Sequence, residues 1–136
     1  MALPAHALKL IEPYCRSARI LCLGYPDIVA STEQIRKIFG IEIEVFTDKG
    51  SRHNVDFKLP EAYHLFGKLN SRLTCVDFAK EHGNERIVNL NYPTELGKYD
   101  LVLDPGTLEH CFNIGTAWEN AFNAVKVGVI FFISPL

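Results

Sequence analysis

Short apolar runs recur along the chain, at residues 19–24, 73–78, 86–91, 100–104 and 129–133. The first closes on Gly24, the second on Asp77-Phe78, the third on Asn91 and the fourth on Asp104. Runs of roughly four to eight apolar residues bounded by turn chemistry read as strands buried on both faces, the kind found inside a parallel sheet. Between most of them the apolar spacing changes to the helical period. Ala7, Leu8 and Ile11 predict a helix over 4–12, with Pro4 in its first turn and Pro13 as its end. Ser31 and Gln34 form a capping-box pattern ahead of Ile35, Ile38 and Phe39, and Gly40 supplies the stop. Ile114, Ala117, Trp118, Ala121, Phe122 and Val125 trace the clearest amphipathic stripe, read as core, with Asn113 as N-cap. Val127-Gly128 reads as the turn into the last strand.

The segment from 41 to 71 is less regular. Residues 41–46 alternate with period two, as a strand with one wet face does, and Thr47 to Lys58 reads as a polar loop. Pro60 could open a short helix carrying Ala62, Leu65, Phe66 and Leu69, with His64 as a solvated or satisfied helix residue. Strands alternating with helices predict an α/β fold: a three-layer α/β/α sandwich around a mainly parallel sheet, with strand order 3-2-1-4-5. The whole of 1–136 reads as one domain, with 41–71 as a possible insertion, and no repeat, low-complexity tract or linker interrupts it.

Composition narrows the partners. A net charge of −2, with Lys and Arg scattered, gives no electrostatic case for nucleic acid or an anionic membrane. Cysteines at 15, 22, 75 and 111 form no CxxC pair and no metal-ligand spacing with histidine, which argues against zinc or iron–sulfur sites. Cys22 and Cys75 sit inside strand-like runs, where a thiol behaves as a small hydrophobe. No signal pattern and no membrane-spanning apolar run is present, so a reducing, cytoplasmic setting is expected.

Chemistry is sought at the carboxyl ends of the strands, where open α/β sheets place their ligands. The stretch Tyr99 to Asn113 reads Tyr-Asp-Leu-Val-Leu-Asp-Pro-Gly-Thr-Leu-Glu-His-Cys-Phe-Asn, and it sets Asp104, Pro105, Gly106, Thr107, Glu109 and His110 at such an end. Gly24 offers a corner where backbone could lie against a ligand, equally readable as a structural turn. The acid for a ribose is open between two positions. Asp48 has the spacing of a dinucleotide fingerprint, whereas Asp77 ends the apolar run expected beside the central strand.

The Tyr99–Asn113 stretch is similar to the fourth-strand motif of class I S-adenosylmethionine-dependent methyltransferases, in which an aspartate ends the strand and a Leu-Glu-His turn follows. Leu21-Cys-Leu-Gly-Tyr-Pro-Asp27 stands where that family has its glycine-rich first motif, keeping one glycine. Lys126-Val-Gly-Val129 stands where it usually has Lys-Pro-Gly-Gly. The resemblance runs from about residue 17 onward and implies a Rossmann-like domain binding S-adenosylmethionine. It implies that Gly24, Tyr25 and Pro26 meet the methionine end and that Asp77 accepts both ribose hydroxyls. It further implies Phe78 on the adenine, Asn91 at the adenine edge, and Asp104, Pro105 and Gly106 as the floor near the methyl donor.

Methyl transfer to an unidentified, small-molecule acceptor is then the expected reaction. His110 is the candidate general base, or else a ring capping the turn. Glu109 reads as a turn residue, and Cys111 and Tyr92 as packing near the site. A non-catalytic nucleoside- or cofactor-binding module is the alternative, and a nicotinamide oxidoreductase is weaker because GxGxxG is absent. The family's sheet continues past the fifth strand, so this chain reads as a truncated piece or one completed by self-association. The surface expected for a homo-oligomer is 129–133 or the neighbouring Trp118 helix.

Overall fold

A computed structural model describes residues 2–47 and 58–132, with 128–132 as backbone. Strand β1 (Ala2–Pro4) runs directly into helix α1 (Ala5–Ile11), so Pro4 caps the helix from outside its first turn. Pro13 does not end α1. It sits in a separate 3-10 turn, Glu12–Tyr14, at a position where a missing N–H costs nothing. Strand β2 (Arg19–Leu23) follows, and then β3 (Asp27–Val29), which pairs in parallel with β1 from Ala2↔Asp27 to Pro4↔Val29.

Helix α2 (Thr32–Phe39) starts on the Ser31–Gln34 capping box and ends on Gly40, whose φ of 71° is the left-handed cap that glycine adopts most readily. Residues 41–45 form no strand, contrary to their alternation. Only β4 (Phe46–Thr47) is extended and paired, antiparallel to β5 (Leu59–Pro60). The expected loop residues 48–57, including Asp48, lie outside the described residues. Helix α3 (Ala62–Lys68) is capped by Glu61, whose carboxylate accepts from Tyr63 N and His64 N, so Pro60 stands before the helix.

Strands β6 (Arg72–Asp77), β7 (Arg86–Ile87) and β8 (Tyr99–Asp104) come next, then helix α4 (Ile114–Ala124) and strand β9 (Val125–Phe132). Two expectations change here. The third apolar run pairs only at 86–87, and Val127-Gly128 lies inside β9 instead of making a turn. Five strands form one all-parallel sheet in the order β7-β6-β2-β8-β9.

Alternation along β2 sends Ile20 and Cys22 to one face and Leu21 and Leu23 to the other, all four fully buried. The first face packs against α1, α2 and α3 through Leu8, Ile11, Ile35, Phe39, Leu65 and Phe66. The second packs against α4 and the segment after β7, through Val88, Leu90, Ala117, Ala121 and Ala124. Each Leu, Ile or Phe so buried stabilises the fold by about 1.5–3 kcal/mol before chain entropy is counted. The buried side of α4 is Ala117, Asn120, Ala121 and Ala124, a rotation away from the expected stripe. Trp118 is half-buried, while Ile114 and Phe122 are exposed. Small residues let the helix lie close to the sheet, and that leaves the large ones outside.

Candidate functional site

A cavity of about 390 Å³ opens at the carboxyl ends of β6 and β7. That is within the ~300–1,000 Å³ of clefts that take small ligands. Three walls bound it: Val76, Asp77 and Phe78 at the end of β6; Val88, Asn89, Leu90 and Asn91 after β7; and Thr107, His110 and Cys111 in the turn after β8. Its surfaces are mainly apolar, with a single carboxylate among them.

Asp77 stands on the last position of β6, half-buried, and its Oδ1 accepts from Phe78 N at 2.7 Å. Its backbone carbonyl accepts from Val88 N at 2.8 Å, the last tie of the second wall to the sheet. Beyond that point side chains fix the wall. Asn89 Oδ1 accepts from Asn91 N and Asn91 Nδ2, at 3.1 and 2.9 Å. Asn91 Oδ1 in turn accepts from Asn113 N, at 2.8 Å. The carboxamide of Asn91 therefore lies in the wall already engaged at both ends. Phe78 is 80 % exposed at the mouth.

The third wall is built by Asp104. Its side chain is 6 % exposed and turns back on its own loop, where Oδ1 accepts from Gly106 N (3.2 Å), Thr107 N (2.7 Å) and Leu108 N (3.3 Å). The carboxylate thus caps the 3-10 turn Leu108–His110, and Pro105 and Gly106 are buried beneath it. The Thr107 hydroxyl donates to the carbonyl of Leu23, tying the ends of β8 and β2 together. His110 projects its ring at the lip, mostly exposed, with Nε2 3.6 Å from Glu109 Oε1. Cys111 is a half-buried free thiol; burial and then the charge of Asp104 push it above the ordinary thiol value.

The glycine corner lies apart from the cavity lining. Gly24 has a φ of 90° and donates its N–H to Val76 O at 2.7 Å. Tyr25 is 4 % exposed, within the core on the side of α1, α2 and α3. Its ring stacks on His82 with centroids 3.8 Å apart, its hydroxyl donates to Glu61 and accepts from Ala62 N, and Pro26 is buried beside it. Burial, above all, drives the Tyr25 phenol well above its ordinary value. His82 Nδ1 meets Glu85 Oε1 at 3.0 Å, and Glu85 Oε2 is buried without a partner among the described residues.

Of the residues singled out from the sequence, Asp77, Phe78, Asn91, Thr107, His110 and Cys111 line one cavity. Gly24, Tyr25, Pro26, Asp104, Pro105 and Gly106 do not line it; they are buried around it. Asn120 was missed. A polar residue inside the Ala117–Ala121–Ala124 stripe was the signal that could have found it. No group of His, Cys, Asp and Glu among the described residues is arranged to hold a metal ion. No helix among them is long and apolar enough to cross a membrane. Comparison with protein-family models, with curated proteins and with solved structures gives no match.

Proposed function

We propose that this chain is an S-adenosylmethionine-dependent methyltransferase, or the cofactor-binding core of one, acting on a small-molecule acceptor. Counted in chain order, the parallel strands β2, β6, β7, β8 and β9 read 3-2-1-4-5 across the sheet, and cores with helices on both faces fit a Rossmann-like three-layer sandwich. The observation that carries the reading is Asp77. A carboxylate at the end of a parallel strand opens onto a cavity whose surfaces are mainly apolar, with no second carboxylate among them. Such a group has acceptor capacity for two ribose hydroxyls, and the exposed ring of Phe78 offers a flat apolar face for a purine, with Val88 and Leu90 behind it in the lining.

The bound sulfonium would supply an electrophilic methyl group with a good leaving group. The chain's own part is alignment, since holding donor and acceptor in line removes much of the barrier. Asp77 orients the ribose, Phe78 and the 88–91 wall hold the base, and Asp104 keeps the turn bearing His110 in place. His110 Nε2 is accessible to take a proton from an acceptor that must lose one. The four free thiols fit a reducing, cytoplasmic setting. Exposed Ile114 and Phe122 on α4, with exposed Val127 on a β9 that ends the sheet order, support a homo-oligomer formed through this edge.

One observation favours a second reading, a nucleoside-binding module without turnover. The Gly24–Pro26 corner is filled by its own side chains, which leaves the methionine end without an evident seat. Calorimetric titration with S-adenosylhomocysteine, adenosine and NAD tests both. The methyltransferase reading expects S-adenosylhomocysteine to bind more tightly than adenosine, with Asp77→Ala abolishing both. Adenosine binding alone supports the module. Tight NAD binding, or no binding at all, overturns the proposal.

A further inference from the structure

Helix α4 touches the cavity with none of its residues, yet both outer walls are fixed to it. The wall formed by Thr107, His110 and Cys111 leads into the helix through Asn113, its N-cap, whose Oδ1 accepts from Thr116 N at 3.4 Å. The wall formed by 88–91 has no strand partner after Val88. Its attachment comes from Asn120, near the middle of the helix and 4 % exposed. Asn120 Nδ2 donates to Leu90 O at 3.1 Å and to Tyr92 O at 2.9 Å, and Oδ1 accepts from Thr94 N at 3.0 Å. One carboxamide thus satisfies three backbone groups of a segment that has no ladder to hold it. Asn91 Oδ1, accepting from Asn113 N, makes a second tie to the same helix.

We infer that Asn120 is a positioning residue for the cavity, setting the separation between the 88–91 wall and the His110 turn for a nucleoside ligand. The inference rests on the reading of the cavity as an adenosyl site. Its geometric half stands without that reading. A helix pinned at one end to one wall and by an internal side chain to the other acts as a calliper across the opening. Asparagine suits the task because it offers two donors and an acceptor without a charge. Aspartate would place a carboxylate against two carbonyl oxygens, and alanine would strip these bonds from Leu90 O and Thr94 N and leave Tyr92 O with the Thr94 hydroxyl alone.

The test compares Asn120→Ala with Glu119→Gly, an exposed neighbour whose substitution weakens α4 without removing packing from the wall. The first readout is amide hydrogen exchange in the ligand-free protein. Asn120→Ala is expected to speed exchange at Thr94 and across 89–94 while amides of 117–124 keep their protection relative to Glu119→Gly. The second is affinity for S-adenosylhomocysteine and adenosine, measured where each variant is fully folded. Asn120→Ala should lose about tenfold, whereas Glu119→Gly should stay within about twofold of the parent protein. Unchanged exchange at 89–94 in Asn120→Ala overturns the positioning role, as does an equal loss of affinity in both variants. If the parent protein binds neither ligand, the adenosyl reading fails, and the exchange experiment alone decides whether Asn120 holds the wall.

Discussion

The hydroxyl of Thr107 donates to the main-chain carbonyl of Leu23, joining the turn after β8 to the last residue of β2. The two strands are neighbours in the sheet, paired from Ile20↔Leu101 to Cys22↔Leu103, and this bond extends their contact past the end of the ladder. Beyond it the chain paths part, β2 toward Gly24 and β8 toward the cavity. The bond therefore fixes one cavity wall to the centre of the sheet. Thr107→Val keeps the shape and removes the donor, leaving the Leu23 carbonyl short of a partner. Stability should fall by about 1–2 kcal/mol, read as a lower urea midpoint with an unchanged slope.

Asp104→Ala should be more damaging. Three backbone N–H groups of the 106–108 turn lose their acceptor at a position with almost no access to water. A loss of about 2–4 kcal/mol is expected from the orphaned donors and the missing cap. Asp104→Asn keeps one acceptor oxygen and should recover part of it. Urea unfolding of both variants checks the order; equal stability of Asp104→Ala and the parent would refute the capping role.

Acid sensitivity should concentrate at Glu85. Burial alone would push its carboxyl up, but its own N–H, the His82 N–H and the His82 ring outweigh that, and the group is held below its ordinary value. An acid whose folded value is depressed contributes stability that is complete above its unfolded value. That contribution disappears as pH falls through the folded one. Urea midpoints followed from neutral into strongly acid pH should decline more steeply for the parent protein than for Glu85→Gln. Parallel declines would show that the pair contributes nothing.

The thiols should divide by location. Burial raises Cys15 and Cys75 to about 12 and Cys22 well above its ordinary value, so none forms much thiolate near neutrality. Cys111 is half-buried in the cavity wall and raised less. Alkylation of the native protein should label Cys111 first, and S-adenosylhomocysteine should slow that labelling. Labelling of Cys22 at a comparable rate would contradict the packing of the sheet.

Association should depend on the outer face of α4. Trp118 and Phe122 stack there with centroids 5.4 Å apart, and Phe122 is 58 % exposed. Sedimentation of the parent protein should give a mass that rises with concentration, and Phe122→Glu should shift it toward the monomer. A monomer mass at every concentration would refute the homo-oligomer.

Much of the sheet could be read from the chain because strands buried on both faces leave continuous apolar runs, as at Ile20–Leu23 and Leu101–Leu103. The capping box at Ser31 and the cap at Asn113 were legible because the bonds they make span three residues and need no tertiary partner. The third strand was overestimated. Asn89 and Asn91 bond each other and a distant backbone, and such side chains compete with a ladder. The orientation of α4 was misread because Trp118 and Phe122 outweigh alanines in any apolar count, while close packing on the sheet favours the alanines. Asp77, Phe78, Asn91 and His110 were picked out by their places at strand ends. What a sequence could not show is that Tyr25 turns into the core and that Asp104 spends its carboxylate on its own turn.

The order of strand partners also shapes how this chain emerges from the ribosome. β2 pairs on one side from Arg19↔Arg72 and on the other from Ile20↔Leu101, so both of its neighbours are made long after it. During that interval an apolar strand with two bare edges is available to any nascent chain nearby. The parallel pairing of β1 with β3, complete once Val29 is synthesised, can anchor the surrounding residues early, but it covers neither edge of β2.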